Sequence, residues 1–299
     1  ANVKIRFYEI FEGLIFFESF QIHDRLKMQQ RALESKLDIG EVQAASEEWL
    51  AERSRPGSRS NSFSSRWKFD SKFDGEVGNL FLTSSTDEYW ALGEEWHEAT
   101  WVDQYDAFDH IMSRLEVLGD NKFTLRVHPN LLSKSLRFIR SEIRRISWLK
   151  NRHPTLVIID AWSSLSTYLL VGKADRVIVS ISTAGLEASA SGKPVWCTMS
   201  TNYDLCADVR RVHSEEEVAN SKFEKWEVDT MGAKHLIAWR LSGSQLQPLT
   251  PPGTRYRNSA TLIERIRGVL KMQSLYKLVL ISRLLRTIIV DTRLVKLFL

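Results

Sequence analysis

Residues 177–195, VIVSISTAGLEASASGKPV, hold a strand, a turn of small residues, a helix and the opening of a second strand in one short run, and few folds accommodate that order. Val177, Ile178 and Val179 are apolar and β-branched with no alternation, the pattern of a strand covered on both faces in a parallel sheet. Ser180, Ser182 and Thr183 then place hydroxyls beside the backbone N–H groups with which a helix begins. An anion of phosphate size would meet donors there and the positive end of the helix dipole. Glu187 stands one turn into the helix, within reach of a sugar or ribose hydroxyl. Gly192 ends the helix and Pro194 opens the next strand. On this pattern alone, an ordinary βαβ turn whose hydroxyls only cap the helix reads equally well.

The unit belongs to a longer alternation. Leu80–Thr83, Phe123–Val127, Leu156–Ile159, Val177–Val179 and Val195–Thr198 read as short buried strands. Between them, Gln104–Leu118 carries Tyr105, Phe108, Ile111, Met112 and Leu115 at helical spacing, and Leu136–Leu149 carries Phe138, Ile139, Ile143 and Ile146 likewise. Such alternation predicts an α/β domain with a parallel sheet, and in open sheets of that kind ligands collect beyond the carboxyl ends of the strands. Ser84, Ser85, His128, Ser163, Ser164, Ser182 and Thr183 all fall at those ends. Serine and threonine are also common helix caps, which discounts the coincidence.

Individual side chains suggest roles. Pro129 fixes the backbone after His128 and holds its imidazole at a strand end, where it can donate to a phosphate as charge builds on a leaving group; a buried, satisfied histidine is the alternative. His153-Pro154 lacks a preceding strand and is set aside. Arg126 is expected on the opposite face, packing or pairing structurally. Trp162, Ser163, Ser164, Ser166 and Tyr168 form a second strand-to-helix turn, suited to phosphate contact or to simple capping by Ser163. Asn202, Tyr203 and Asp204 follow the last strand in a loop that approaches the ligand or lies on the surface. Asp87 and Glu88 follow the first strand, where either is placed to act as a base towards a hydroxyl, with helix capping by Asp87 fitting as well.

Four segments in this order, NLFLTSSTDEYWAL at 79–92, LRVHPN at 125–130, IIDAWSSLSTYLL at 158–170 and STAGLEASASGKPV at 182–195, resemble the capsule polysaccharide biosynthesis proteins. These are bacterial glycosyltransferases of the two-domain GT-B fold, related to Kdo transferases and bacterial sialyltransferases, and the resemblance covers about residues 79–205. It implies a Rossmann-like parallel sheet forming a GT-B C-terminal domain, preceded by a partial, mostly helical N-terminal region. It also implies that His128, Pro129, Ser182 and Thr183 hold the cytidine monophosphate part of a donor such as CMP-Kdo. Asn130, Ser163, Ser164, Glu187 and Tyr203 complete the candidate donor-binding set, with Asp87 and Glu88 as candidate catalytic residues. The expected partners are a nucleotide-activated sugar and a glycan or glycolipid acceptor, with no cofactor, because the nucleotide-sugar is a substrate. The acidic N-terminal motif that such transferases use as general base has no counterpart beyond Glu12-Gly13. A non-catalytic nucleotide-sugar binding subunit that positions a partner enzyme at the membrane therefore stands as the alternative, and a GT-B-like sugar-nucleotide epimerase as a third possibility.

The remaining sequence bounds these readings. At 299 residues with 43% hydrophobic content, the chain can bury a substantial core. Cys197 and Cys206 have no metal spacing and no further cysteines beside them, which fits a reducing cytosol. No DxD and no His/Cys/carboxylate cluster has metal spacing, so a metal-independent reaction is expected, and GxGxxG and Walker signatures are missing. Residues 14–53 read as helical and 54–78 as a Ser/Arg/Gly/Pro-rich linker, leaving 79–250 as the donor-binding domain and 251–299 as basic apolar helices. Ala1 rather than Met opens the chain, and the start is expected to be a fragment boundary.

The net charge of +4 conceals an asymmetry, since residues 254–299 carry ten Lys/Arg against Glu264 and Asp291. Neither a nucleic-acid module nor stacking aromatics accompany them, so nucleic acid is not an expected partner. Residues 275–299 are apolar, but Lys277, Arg283, Arg286, Asp291, Arg293 and Lys296 interrupt them too often for a transmembrane span. A helix there would lie on an anionic membrane, peripheral to the inner face of the bacterial inner membrane, or cover another domain.

Overall fold

A computed structural model describes residues 8–11, 14–17, 25–54, 73–85, 100–223 and 226–242. Asp87, Glu88, Glu12-Gly13, most of the expected linker and the basic tail lie outside the described residues. The chain divides into two compact units at Gln247/Pro248, and all the described residues belong to the first.

Strands β1 (Tyr8–Phe11) and β2 (Leu14–Phe17) pair antiparallel, with Phe11 opposite Leu14. The apolar run at residue 14, expected to begin a helix, is thus a strand. Its Leu-Ile-Phe-Phe composition suits a pleated surface as well as a helix face, and periodicity cannot separate the two over four residues. Helices α1 (Arg25–Glu34) and α2 (Ile39–Ser54) follow.

The main sheet contains β3 (Asn79–Leu82), β4 (Phe123–Arg126), β5 (Val157–Ile159), β6 (Arg176–Val179), β7 (Val195–Cys197) and β8 (Arg210–Arg211). They run parallel in the order β5-β4-β3-β6-β7-β8. The helices between and after them are α3 (Gln104–Val117), α4 (Leu136–Arg152), α5 (Thr167–Lys173), α6 (Ala184–Ala190), α7 (Glu215–Phe223) and α8 (Met231–Leu241). The α/β parallel sheet expected from the alternation is the observed one, Rossmann-like as the resemblance implies, with helices on both faces. β8, too short to carry a sequence pattern, extends it at one edge.

Strand alternation divides the core into two layers. Phe81, Phe123, Leu125, Ile178 and Trp196 face α3, α4 and α7, and Phe81 meets Phe108 edge-on with ring centroids 5.1 Å apart. Leu80, Leu82, Val177, Val179, Val195 and Cys197 face α5, α6 and α8. Met28, Ala32 and Trp49 of α1 and α2 join this second layer, and buried Gln29 accepts at Oε1 from the Leu205 backbone N–H and donates from Nε2 to Asp204. The N-terminal helices therefore share the core of the sheet, and the loop after β7 is stapled to α1.

Gly192 ends α6 at φ +77°, as expected. Its N–H donates to the Ser189 carbonyl and that of Lys193 to the Ala188 carbonyl, the double closure that a left-handed residue permits.

Candidate functional site

From β3 the chain winds outward through β4 to β5, then returns across the sheet to place β6 on the other side of β3. At this reversal the connections after β3 and β6 leave to opposite faces of the sheet, and a crevice opens beyond the strand ends. A cavity of about 200 Å³ occupies it, lined by Leu82 and Thr83 after β3, Arg126, His128 and Pro129 after β4, and Ala161 and Ser163 after β5. Ser166, Thr167 and Tyr168 at the start of α5, Ser182, Thr183, Ala184 and Glu187 after β6, and Arg53 and Ser54 at the end of α2 complete the wall. Of the candidate donor-binding residues, His128, Pro129, Ser163, Ser182, Thr183 and Glu187 are brought together here.

His128 is held by its own backbone. Its N–H donates to Thr83 Oγ1 at 2.8 Å, and its Nδ1 accepts from the Asn130 N–H at 3.1 Å. With Nδ1 accepting, the neutral ring carries its proton on Nε2, which makes that atom a donor. Asn130 thus contributes through its main chain, orienting the imidazole, and does not line the cavity.

The turn after β6 departs from its simplest reading. Ser180 is buried and its hydroxyl is paired with Thr198 Oγ1 at 2.8 Å, so it faces the sheet. Ser182 Oγ accepts from the Ala184 N–H at 3.3 Å, whereas Thr183 makes no capping bond and is exposed. α6 is only seven residues long, so the partial charge of its end is small beside a full guanidinium charge nearby. Ser164 stands outside the cavity wall, and Trp162 is exposed beside it.

Tyr203 requires a correction, since it has no exposed surface. Its hydroxyl donates to the Ser182 carbonyl at 2.7 Å from behind the turn. Burial, followed by the neighbouring Cys197 thiol, pushes its pKa well above the usual tyrosine value and keeps it a neutral donor. It supports the wall without forming it.

Arg126 was expected on the opposite face and instead lines the cavity. Strand alternation places it with His128 two residues on, and correctly counted it gives this result from sequence. The residue is 4% exposed; one terminal nitrogen donates to the Asp160 carbonyl and the other to the Ser163 carbonyl, while Nε has no partner. Burial, partly offset by the Asp160 carboxylate, lowers its pKa to about 10, which leaves it charged at neutral pH.

Arg53 and Thr83 also escaped the sequence reading. Arg53 donates to Glu187 Oε1 at 2.8 Å and from Nε to the Tyr168 hydroxyl at 3.1 Å, and it lies over the Trp49 ring. Burial and then repulsion by Glu187 raise the Tyr168 pKa, so this hydroxyl also stays protonated. No local pattern marks Arg53, because the polar partners named here, Glu187 and Tyr168, are over a hundred residues away in the chain. Thr83 is the last residue before two serines that attract more attention, yet Ser84 is clasped by the Gln104 side chain and Ser85 is buried.

Among the described residues, no three His, Cys, Asp or Glu side chains gather as a metal site, and no helix is long and apolar enough to cross a membrane.

No family model matches the chain, and no curated protein matches it in sequence. Among solved structures, it is similar to Thermosulfurimonas dismutans KpsC, beta Kdo 2,4 transferase, with 15% identity and a TM-score of 0.47 over 75% of this chain and 64% of that one. The corresponding KpsC beta Kdo 2,7 transferase gives 15% identity and a TM-score of 0.42 over 75% and 62%. A Listeria monocytogenes protein described as a UDP-N-acetylglucosamine 2-epimerase gives 13% and 0.35 over 64% and 50%. The chain spans less than two thirds of the length of either transferase.

Proposed function

We propose that the chain is the donor-binding part of a metal-independent GT-B glycosyltransferase of capsule or surface polysaccharide synthesis. It transfers a sugar from a nucleotide-activated donor to a glycan or glycolipid acceptor, with residues 79–250 as the donor-binding domain. The observation that carries the reading is the cavity at the reversal of strand order, where four strand ends deliver an imidazole, hydroxyls and a charge-compensated carboxylate to one volume. In this reading His128 Nε2 donates to the donor phosphate and opposes the negative charge that grows on the departing nucleotide. The Ser182 and Thr183 hydroxyls share the phosphate. Glu187 already carries Arg53, so its charge is balanced and it suits a neutral sugar or ribose hydroxyl. CMP-Kdo, the donor that the sequence resemblance names, heads the panel of donors.

A second reading, a nucleotide-sugar binding subunit without its own chemistry, draws on another feature of the cavity. Among the described residues lining it, Glu187 is the one carboxylate, and it is engaged by Arg53. A base for the acceptor would then come from Asp87, Glu88 or a partner.

Calorimetry with cytidine and uridine mono- and diphosphates, followed by transfer assays with a donor panel, tests both readings. Nucleotide binding that drops in His128→Ala/Ser182→Ala supports the site, and transfer then separates enzyme from subunit. Undiminished binding in the double variant would remove these residues from the site.

A further inference from the structure

We infer that Arg126 is the anion receptor of this cavity, its Nε–H held ready for an anionic oxygen of the ligand, whether on a phosphate or on the carboxylate of a sugar acid. The inference deepens the donor-binding reading and rests on it for the identity of the ligand.

Arg53 and Arg126 are the two cationic side chains in the described wall, and they differ in what surrounds them. Arg53 spends its charge on Glu187 at 2.8 Å. Arg126 is almost wholly withdrawn from solvent and makes no ion pair with a carboxylate. Each of its two terminal nitrogens donates to a main-chain carbonyl, which supplies a dipole and no compensating charge. Asp160 is near enough to favour the cation without pairing with it, and burial raises its own pKa more than Arg126 lowers it. A buried guanidinium in this condition costs free energy that an arriving anion offsets.

Geometry adds to electrostatics. The two carbonyl bonds tie the end of β4 to the turn after β5 and fix the guanidinium plane, so little side-chain entropy remains to be lost when a ligand binds. Nε is a further donor, buried and without a hydrogen-bond partner. His128, two residues on along the strand, presents its imidazole to the same cavity. Together they form a cation and a neutral donor spaced as alternate residues of one strand. With α6 so short, the attraction for an anion comes chiefly from Arg126 and far less from the helix end.

The test compares ligands that differ only in charge, using the full chain. Calorimetry is run with cytidine, cytidine monophosphate, inorganic phosphate and a nucleotide-free sugar acid on wild type, Arg126→Gln and Arg126→Lys. Replacing the guanidinium by an amide is expected to reduce the preference for cytidine monophosphate over cytidine by roughly tenfold to a hundredfold, the worth of a charge-assisted hydrogen bond, with Arg126→Lys in between. If the partner is a carboxylate, the sugar acid's affinity falls by the same factor instead; a variant Arg126→Gln in which both the nucleotide preference and sugar-acid binding are unchanged overturns the inference.

Because Arg126 also supports the turn after β5, the variants are paired with a measurement on wild type. Arginine Nε–H resonances are followed by NMR, with the Arg126 signal identified as the one lost in Arg126→Lys. Its displacement by cytidine monophosphate or phosphate and not by cytidine supports a phosphate partner. Displacement by the sugar acid alone supports the carboxylate. If phosphate moves the signal while nucleotides fail to bind, the donor reading fails and Arg126 stands as an anion receptor; if no anion moves it, Arg126 has no such role.

Discussion

The Tyr203 hydroxyl donates to the main-chain carbonyl of Ser182 at 2.7 Å, fastening the turn after β6 to the loop after β7. Ser182 lines the cavity, and Tyr203 is hidden behind it. Tyr203→Phe keeps the ring in place and withdraws the donor, so stability is expected to fall by about 1 kcal/mol. Nucleotide binding should weaken too as the turn loosens. Urea unfolding and calorimetry read the two effects, and an unchanged variant would show that the bond fastens nothing.

Gly185 bears on the same contact. A Cβ built there would lie 2.2 Å from the Tyr203 hydroxyl oxygen and 3.0 Å from Val179 Cγ2. Gly185→Ala is therefore expected to destabilise the fold by roughly 1–3 kcal/mol. Joined to Tyr203→Phe, which removes the nearer atom, it should cost distinctly less than the sum of the two single changes. Strict additivity in the double variant would contradict the contact.

The ion pair of Arg53 with Glu187 links α2 to the cavity, with side-chain exposures of 17% and 6%. Arg53→Ala leaves the carboxylate buried beside the neutral Tyr168 hydroxyl. The expected loss is on the order of 2 kcal/mol, smaller than for a fully enclosed pair because Arg53 retains some solvent. A double-mutant cycle with Glu187→Gln should return a coupling of about 1 kcal/mol or more. A coupling near zero would make the pair incidental.

Burial pushes both thiols, Cys197 and Cys206, up to about 12 from the usual 9.0. Above the ordinary value the unfolded chain releases these protons while the folded chain keeps them, so the unfolded state binds fewer protons and stability falls with rising pH. This contribution is present in full below pH 9.0 and is lost progressively towards 12. Alkylation at about pH 8 should accordingly leave both cysteines unmodified in the folded protein and modify both in denaturant. Rapid labelling of the native chain would show the thiols to be accessible.

Much of the sheet was legible in the sequence. Each strand from β3 to β7 lies within about one residue of its apolar run: β3, β4, β6 and β7 are buried on both faces and read as nearly continuous apolar stretches, while β5, at the sheet edge, keeps its apolar run although Val157 is exposed. The edge strand β8, Arg210–Arg211, carries no such signature because it is short and charged. Leu14–Phe17 misled for the converse reason, being apolar enough for either periodicity over so few residues. At the site, His128 and Ser182 declared themselves by position at strand ends. Ser180 and Tyr203, equally polar in sequence, turned inward and found their hydrogen-bond partners within the core.

Local sequence determined where β3 to β7 lie, where Gly192 ends a helix, and which residues stand at the carboxyl edge of the sheet, because these depend on side-chain period and backbone freedom within a few residues. Tertiary structure alone decided that Arg53 reaches Glu187, that Tyr203 braces Ser182 from behind, and that Arg126 is enclosed with its Nε–H unpartnered. Those outcomes depend on contacts between distant parts of the chain. The charge of a guanidinium and the reach of a hydroxyl are written in the residue, but their partners are chosen only when the sheet reverses its strand order and brings the ends together.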